Sequence, residues 1–400
     1  MLLSLSVSAQ VIELTFWHGF SGAKDQQKLN EMTERFNATH PGIRVFPDLQ
    51  TAGSVDKLLV ALATGVGPDI FWQTGGIILQ TREYLLPLDE FIDAEPGFRE
   101  DHFPGLWLDA TWEGVTYGIP FEHASVGLTL NTRRFLEAGL DTAGPQTWEE
   151  FREAAIRLTD PSEELYGLNI DLNNLSWLTS VNYGSFLTTN GGAFMSPDEK
   201  EPLIATEAAI ETLEFLHDII QVSRASTPQT PSISSGTVGM QVGLPSLPMN
   251  LVRNGYLEGS IGTAMIPAKV QRGAINTSKN LFIVKSTPER DRAAWEYIRW
   301  LVSPENNFEW HVATLSYLPT RRSVVGLPEF QEWMMNNPLM RPWLEQAEFV
   351  VSRPRSVEWT ITIKHLQEAV RRSLVEGTTP PRTALDEAYR QAVAEIAQLK

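Results

Sequence analysis

A glutamate and a histidine follow each other at a predicted bend in the first half of the chain. Glu122 and His123 come just after Pro120, between the β-prone runs Val115 to Ile119 and Ser125 to Leu130. Because Pro120 removes a backbone donor from a strand ladder, an extended strand is expected to bend there. If two domains meet at this bend, both side chains face the cleft between them, where small ligands usually bind.

Tryptophan is abundant in this chain, and several of its tryptophans lie at predicted strand ends or loops. The sequence has 12 Trp in 400 residues, and Trp17, Trp72, Trp177 and Trp359 hold such positions. Aromatic faces stack on the apolar faces of sugar rings while polar atoms form hydrogen bonds, which suits polyhydroxylated solutes. Core packing is the alternative for each of the four. The tryptophans predicted to pack in a core or on a surface are Trp107, Trp112, Trp148, Trp295 and Trp300.

Sequence motifs of the common catalytic and metal sites are missing. The chain has no Gly-x-Ser-x-Gly, no phosphate-binding loop, no His-Glu-x-x-His and no complete Gly-x-Gly-x-x-Gly. It has no cysteine, which excludes thiolate catalysis and Cys-containing zinc sites. We therefore predict no catalytic residue, no cofactor and no metal. A pair of carboxylates for glycoside hydrolysis stays open, because their separation is a spatial quantity.

Length and charge narrow the class of protein further. A chain of 400 residues favours two domains or one large α/β body. Its formal net charge of −17 repels nucleic acid and anionic membranes. Met1 to Gln10 resembles the end of a secretory signal whose charged region is missing, with a ragged N-terminus as the alternative. Since no later run approaches the roughly 20 apolar residues of a membrane span, the mature body of the protein is expected to be soluble.

The first quarter of the chain shows alternating strands and helices. Ile12, Leu14 and Phe16 alternate with polar residues, as in a half-buried strand, and a helical pattern follows. Further strands are predicted at 43–46 and 69–72, with a helix at 56–64 between them. This β-α-β-α-β order predicts a mainly parallel sheet with helical crossovers.

Later segments carry further start signals for helices and a second crossing. Thr147-Trp148-Glu149-Glu150 is a capping box, and Pro follows a helix-start residue at Thr287-Pro288 and at Ser303-Pro304. Between these helices, a second passage between domains is predicted near Gln271 to Lys279, before the apolar strand Leu281 to Val284.

The order of these segments resembles that of the solute-binding proteins of ABC importers, in particular the extracellular family 1 that binds sugars. Each matching stretch is short, but together they span nearly the whole chain in the right order. They are Phe16-Trp17-His18-Gly19, Gly67-Pro68-Asp69-Ile70, Tyr117 to Phe121 with Leu130-Asn131, Ala294 to Leu301 with Ser303-Pro304-Glu305, Tyr317 to Arg321, and Thr379 to Ala388.

The resemblance implies an α/β fold of the two-lobed periplasmic-binding-protein type, often called a Venus flytrap. Each lobe is expected to be a mainly parallel sheet flanked by helices, and the discontinuous lobes are joined by hinge strands that let them close. On this basis a residual signal peptide covers 1–10. Residues 11–121 and 278–325 form the N-terminal lobe, and residues 122–277 and 326–400 form the C-terminal lobe.

The resemblance also implies, by position, which residues contact the ligand. They follow the first and third strands, lie on the crossing, or come from later segments of the chain. The predicted ligand-binding residues are Trp17, His18, Ser21, Trp72, Gln73, Glu122, Ser125, Trp177, Ser246, Asn276, Tyr317 and Trp359.

One branch of the family is the most similar. Trp17-His18-Gly19, Glu309-Trp310-His311 and Tyr317-Leu318-Pro319 resemble the branch that binds glycerol-3-phosphate and its diesters. That branch is expected to hold the phosphate with an arginine in its C-terminal region, where this chain has Lys364 or Thr362. Because Lys lacks the bidentate fork of Arg, a neutral sugar stays open as the ligand. The nearby arginines are Arg353 and Arg355.

These observations lead to one hypothesis and two alternatives. The hypothesis is a periplasmic or extracellular receptor, expected to be monomeric, that captures a sugar or a glycerophosphodiester-type solute and delivers it to ABC permease subunits. A secreted hydrolase acting on a glycoside or a phosphodiester is the first alternative. An adhesion or scaffold protein, which would expose a large apolar patch, is the second.

Overall fold

A computed structural model describes residues 10–50, 54–314 and 317–399. The predicted signal segment therefore lies outside the described residues, apart from Gln10. Within the described residues, no helix has both the length and the apolar character needed to cross a membrane.

The strands are short and lie in the first three quarters of the chain, with one late addition. They are β1 Ile12–His18, β2 Ile43–Leu49, β3 Ile70–Gln73, β4 Thr111–Trp112, β5 Val115–Thr116, β6 Gly118–Glu122, β7 Gly127–Asn131, β8 Tyr166–Asn169, β9 Val238–Gly243, β10 Ile261–Ala264, β11 Ala274–Ile275, β12 Lys279–Ile283 and β13 Val350–Val351.

Helices separate most strands and make up nearly all of the last quarter. They are α1 Ala23–Thr39, α2 Ser54–Ala63, α3 Ile78–Thr81, α4 Asp89–Asp93, α5 Phe98–Asp101, α6 Pro104–Ala110, α7 Thr132–Glu137, α8 Trp148–Arg157, α9 Leu175–Trp177, α10 Gly184–Thr189, α11 Glu207–His217, α12 Ser246–Arg253, α13 Pro288–Leu301, α14 Pro304–Thr314, α15 Arg322–Val325, α16 Pro328–Asn336, α17 Arg341–Gln346, α18 Val357–Val370 and α19 Pro381–Ile396. Turns of π-helix follow α9, α11 and α18, at Leu178–Tyr183, Asp218–Val222 and Arg371–Val375. Turns of 3₁₀-helix lie at Gly75–Ile77, Arg82–Tyr84, Pro161–Glu163, Ile233–Ser235, Pro338–Met340, Ala347–Phe349 and Ala397–Leu399.

The chain divides into two compact units. The first unit takes the described residues of 1–122, 278–315 and 319–331, and the second takes those of 123–277, 316–318 and 332–400. Glu122 and residues 326–331 thus belong to the first unit, whereas the sequence placed them in the second lobe. That these units act as lobes closing on a ligand stays a prediction.

The first unit is built on a five-stranded sheet in the order β2-β1-β3-β12-β6. β1 pairs in parallel with β2 and with β3, as the sequence predicts, whereas β12 is antiparallel to both of its neighbours. β3 and β6 therefore point the same way, with β12 inserted between them. As an edge strand, β6 tolerates Pro120, which cannot donate to a ladder.

The second unit holds a four-stranded sheet in the order β10-β7-β9-β8. Its strands β8 and β9 are parallel, and β7 is antiparallel to both β9 and β10. The expectation of mainly parallel sheets is thus confirmed, with one strand in each sheet, β12 or β7, that runs against the others. Both exceptions, β7 and β12, begin just after the chain changes unit, so no helical crossover from a neighbouring strand sets their direction.

Apolar cores cover the sheets of both units. In β1, Leu14 and Phe16 are fully buried and alternate with exposed residues, which confirms the predicted period of two. They join a core with helices α1, α13 and α14, while Phe71 and Phe282 belong to a separate cluster. Each large apolar side chain buried in this way contributes about 1.5–3 kcal/mol to folding.

The predicted start signals of the helices are confirmed. Thr147 and Glu150 form a reciprocal capping box at the start of α8. Pro288 is the first residue of α13, where its missing N–H removes no hydrogen bond. The Thr287 hydroxyl accepts the Arg290 N–H at 3.4 Å.

Candidate functional site

The carboxyl ends of β1, β3 and β6 lie at one edge of the first unit's sheet, where β12 begins. The residues at these positions are His18, Gln73 and Glu122, with Lys279 as the first residue of β12. Ligands of α/β sheets bind outside the carboxyl ends of strands. This edge is therefore the candidate site in the first unit.

A small pocket opens at this edge and gathers four of the predicted ligand-binding residues. Its volume is about 30 Å³. The residues that line it are Trp17, His18, Gly19, Gln50, Leu58, Phe71, Trp72 and Gln73. Since pockets that enclose a whole drug-sized ligand measure about 300–1,000 Å³, this pocket has room for one small group of a solute.

Gly19 lets the indole of Trp72 approach the backbone beside the pocket. A Cβ atom added at Gly19 would lie 2.8 Å from a ring carbon of Trp72. Contacts that short do not occur between folded side chains, so any larger residue would move the indole. The close packing of Trp72 therefore explains why the Trp-His-Gly turn after β1 has a glycine at position 19.

Glu122 holds two indole rings behind the pocket. Trp72 donates its Nε1–H to one carboxylate oxygen at 2.9 Å, and Trp310 donates to the other at 3.0 Å. Phe20 packs between the two indoles, with ring centroids 4.7 Å from each. Because Glu122 is only 1% exposed, its role in this structure is to orient Trp72.

Burial raises the pKa of Glu122 to about 8, because a buried carboxylate loses its hydration. The indole donors of Trp310 and Trp72 and the Lys279 ammonium lower the pKa, but they do not offset the loss of hydration. The negative charge of Asp25 raises the pKa further. Near pH 7, therefore, the folded protein holds Glu122 mainly as the neutral acid.

This raised pKa predicts a pH-dependent loss of stability that a Glu122→Gln variant would not show. Between pH 4.5 and 8 the folded state holds one proton more than the unfolded state. Its stability therefore falls as pH rises through that window, by up to about 1.4 kcal/mol per pH unit, and levels off above it. Urea denaturation of both proteins at pH 5, 6, 7 and 8 measures the difference. Parallel curves for the two proteins would contradict the prediction, whatever constant offset the amide introduces.

His18 is neutral at physiological pH and lies at the base of the pocket. Burial lowers its pKa to about 4, although the charge of Asp48 acts in the opposite direction. Its Nδ1 accepts the backbone N–H of Phe20 at 3.3 Å, which leaves Nε2 as the protonated nitrogen of the neutral ring. Ser21, two residues beyond the pocket, is exposed, and its carbonyl accepts the Gln26 amide.

In the second unit, the structure brings Ser125 and Asn276 together. The two residues form an antiparallel bridge and are almost completely buried. The Gln346 amide donates to the Ser125 hydroxyl at 2.8 Å and to the Val126 carbonyl at 2.7 Å. The neighbouring His123 is also buried, and desolvation lowers its pKa to about 4, so it is neutral at pH 7.

The other four predicted residues of the second unit lie on four separate segments. Trp177 ends α9 and is half-buried against the unit's core, and Ser246 begins α12. Tyr317 is half-buried beside the Leu318–His123 bridge. Trp359 is 8% exposed in α18 and packs on Phe194, with ring centroids 4.8 Å apart, so core packing accounts for this ring. Ligand contact by the twelve residues stays a prediction.

The C-terminal positions considered for a phosphate have other partners. Lys364 forms an ion pair with Glu395 at 2.9 Å on the surface. Thr362 is fully buried, and its hydroxyl donates to the Glu358 carbonyl at 2.7 Å within α18. These contacts leave neither side chain in the geometry of an anion site.

Sequence reasoning missed four residues that complete the first unit's site. Gln50 and Lys57 follow β2, Lys279 begins β12, and Trp310 lies in α14. Gln50 directly follows the observed β2, but the sequence predicted that strand to end at residue 46, and Lys279 lies two residues before the predicted start of the β12 strand at Leu281, so predicted strands that were too short hid both residues. Trp310 could not have been found this way, because α14 is distant in sequence from β6.

Comparison with known proteins identifies the class of protein to which this chain and its fold belong. Residues 21–308 match the model of the bacterial extracellular solute-binding protein family. The chain belongs to this family, as its segment order indicates, and it has the two-lobed α/β fold of these proteins.

Relatives and solved structures are similar over nearly their whole length at low identity. The maltotriose-binding protein of Pyrococcus abyssi is 22% identical, with 96% of this chain and 83% of the relative covered. The sn-glycerol-3-phosphate-binding periplasmic protein of Salmonella paratyphi A is 24% identical, with 98% and 94% covered. The cyclic alpha-maltosyl-1,6-maltose binding protein of Arthrobacter globiformis superposes with a TM-score of 0.86 at 22% identity, with 98% of this chain and 100% of that chain covered.

Proposed function

We propose that this protein is the solute-binding receptor of an ABC importer, which captures a small polyhydroxylated solute by lobe closure and delivers it to a membrane permease. The observation that carries the proposal is the site at the carboxyl edge of the first unit's sheet, in a chain of the solute-binding family. There, indole rings and polar side chains lie side by side, the combination that recognises hydroxyl-rich solutes.

The names of the relatives support two solute classes. One relative binds maltotriose and another binds sn-glycerol 3-phosphate, and both are similar to this chain over almost its full length. Sugars and glycerophosphodiester-type solutes are therefore the candidates. A hydrolytic role is less well supported, because both oxygens of the buried Glu122 are held by indole N–H groups instead of facing a substrate.

Location and assembly follow from the proposed role. A receptor for an importer works outside the cytoplasmic membrane, in the periplasm or on the cell surface, and its partners are the permease subunits. We propose that it acts as a monomer, without cofactor, metal or nucleic acid. The chain's acidic character is consistent with the exclusion of nucleic acid.

Calorimetric titration of the purified protein tests this proposal. Maltose, maltotriose and sn-glycerol 3-phosphate are the probes, and one of them is expected to bind with a dissociation constant well below about 1 mM. Trp72→Ala should weaken binding by about tenfold or more, because the ring lines the pocket. The control variant Trp112→Ala, outside the pocket, should leave the affinity within about twofold. Hydrolysis of a probe, with no binding tighter than millimolar, would instead indicate a secreted hydrolase.

A further inference from the structure

Each of the two pocket tryptophans carries a lysine ammonium over its ring. Lys57 Nζ lies 5.0 Å from the Trp17 ring centroid, and Lys279 Nζ lies 4.9 Å from that of Trp72. Both distances are within the range of a cation–π contact, which stabilises an exposed pair by about 0.5–1 kcal/mol. The indole faces predicted to stack on a sugar ring are thus partly covered by positive charge.

The same two ammonium groups contact glutamine side chains that line the pocket. Lys57 Nζ donates to Gln50 Oε1 at 2.6 Å, and Lys279 Nζ lies 3.5 Å from Gln73 Oε1. A group of one tryptophan, one glutamine and one lysine therefore occurs twice around one pocket. Neither lysine lines the pocket itself, but each is oriented by a ring and an amide oxygen that do, so its charge is held next to the lining residues.

The acidic and basic groups around this rim favour an anion. The neutral His18 adds no charge but offers a ring N–H, and Glu122 is mainly uncharged near pH 7 because burial raises its pKa. Asp48 accepts a hydrogen bond at 2.8 Å from Nε2 of the same Gln50 amide whose Oε1 accepts from Lys57, and its charge also acts on His18, so its carboxylate charge opposes the two lysines here. Asp25 acts on Glu122 from a distance.

We propose that this pocket binds the anionic group of the solute, phosphate or carboxylate, with Lys57 and Lys279 as its charged donors. The inference rests on the proposed function and narrows it to anionic hydroxylated solutes. A volume of about 30 Å³ suits one small charged group, with the rest of the solute outside the pocket. Ammonium groups recognise phosphate and carboxylate oxygens as point charges, without the planar fork of arginine. The site lies on the first unit, not in the C-terminal region that the family resemblance implied.

Lysine variants and three probes test the inference by calorimetry. The probes are sn-glycerol 3-phosphate, glucuronate and neutral maltose, and the variants are Lys57→Met and Lys279→Met. Each variant is expected to weaken binding of an anionic probe by about tenfold or more, and added salt should weaken wild-type binding. Lys279→Arg should restore most of the affinity. Lys285→Met is the matched control, since Lys285 is an exposed lysine just after β12 that lines a different pocket, together with Asp69 and Arg290.

The outcomes separate this inference from the proposed function. The inference is supported if the phosphate ester, the carboxylate or both bind and the two Met variants weaken that binding. Which of the two probes binds identifies the anionic group that the pocket recognises. The inference is overturned if neither anionic probe binds. It is also overturned if an anionic probe binds equally well to wild type and to both Met variants while the variants show native-like thermal unfolding. If maltose binds in either of those cases, the receptor function stands with a neutral solute. If no probe binds, the proposed function fails as well.

Discussion

Replacement of Trp310 by alanine is expected to lower the free energy of unfolding by about 3–5 kcal/mol. The side chain is fully buried and packs on Phe20 and Phe121, with ring centroids 4.7 and 5.5 Å away. Truncation leaves a cavity in the first unit's core and removes one of the two donors to Glu122. Urea denaturation followed by circular dichroism measures the change.

Phenylalanine at this position separates packing from hydrogen bonding. Trp310→Phe keeps most of the apolar contacts but removes the N–H that Glu122 accepts. We expect a loss of about 1–3 kcal/mol, well below that of Trp310→Ala. If the two variants were equally unstable, the hydrogen bond rather than the ring would dominate, and our assignment of Trp310 to core packing would be wrong.

Replacement of Arg134 by methionine should destabilise the second unit by about 3 kcal/mol or more. Arg134 is 7% exposed, and its guanidinium donates to three backbone carbonyls, those of Leu158, Tyr166 and Thr237. These carbonyls end α8, begin β8 and precede β9, so one side chain ties three segments together. Without it, buried acceptors lose a charged donor, which costs more than a neutral hydrogen bond.

The adjacent Arg133 provides a matched control for this experiment. Its side chain is 61% exposed, and its ion pair with Glu137, at 4.0 Å, is a weak surface pair. Arg133→Met is expected to change stability by less than about 1 kcal/mol. If the two substitutions lowered the denaturation midpoint equally, the carbonyl contacts of Arg134 would contribute no stability beyond that of an exposed arginine.

Local patterns predicted much of the fold because they depend on neighbouring residues. The alternation of β1, the capping box at Thr147 and the proline start of α13 are all confirmed. Family membership was predicted from the order of several short motifs along the chain. Each motif is weak alone, but their order is retained, and the family model confirms the prediction. The strand ends that carry Trp17 and Trp72 were predicted for the same local reasons.

Long-range pairing explains what sequence reasoning missed. Nothing near β12 in sequence indicates that it lies between β3 and β6, so the antiparallel insertion and the position of Lys279 could not be read from local pattern. Likewise, the indole of Trp310 reaches Glu122 across 188 positions of sequence. Residue type alone also does not tell a buried tryptophan from an exposed one. For this reason Trp359 was predicted as a ligand contact, whereas its ring is packed in the core.

The position of β12 has a consequence for the nascent chain. β3 and β6 leave the ribosome long before the strand that joins them, since β12 ends at Ile283. Until then, both would present unpaired edges, and α13 and α14 would not yet cover the apolar face. The second unit likewise needs α18 and α19 from the end of the chain to complete its core. Neither unit can therefore complete its core until late in synthesis.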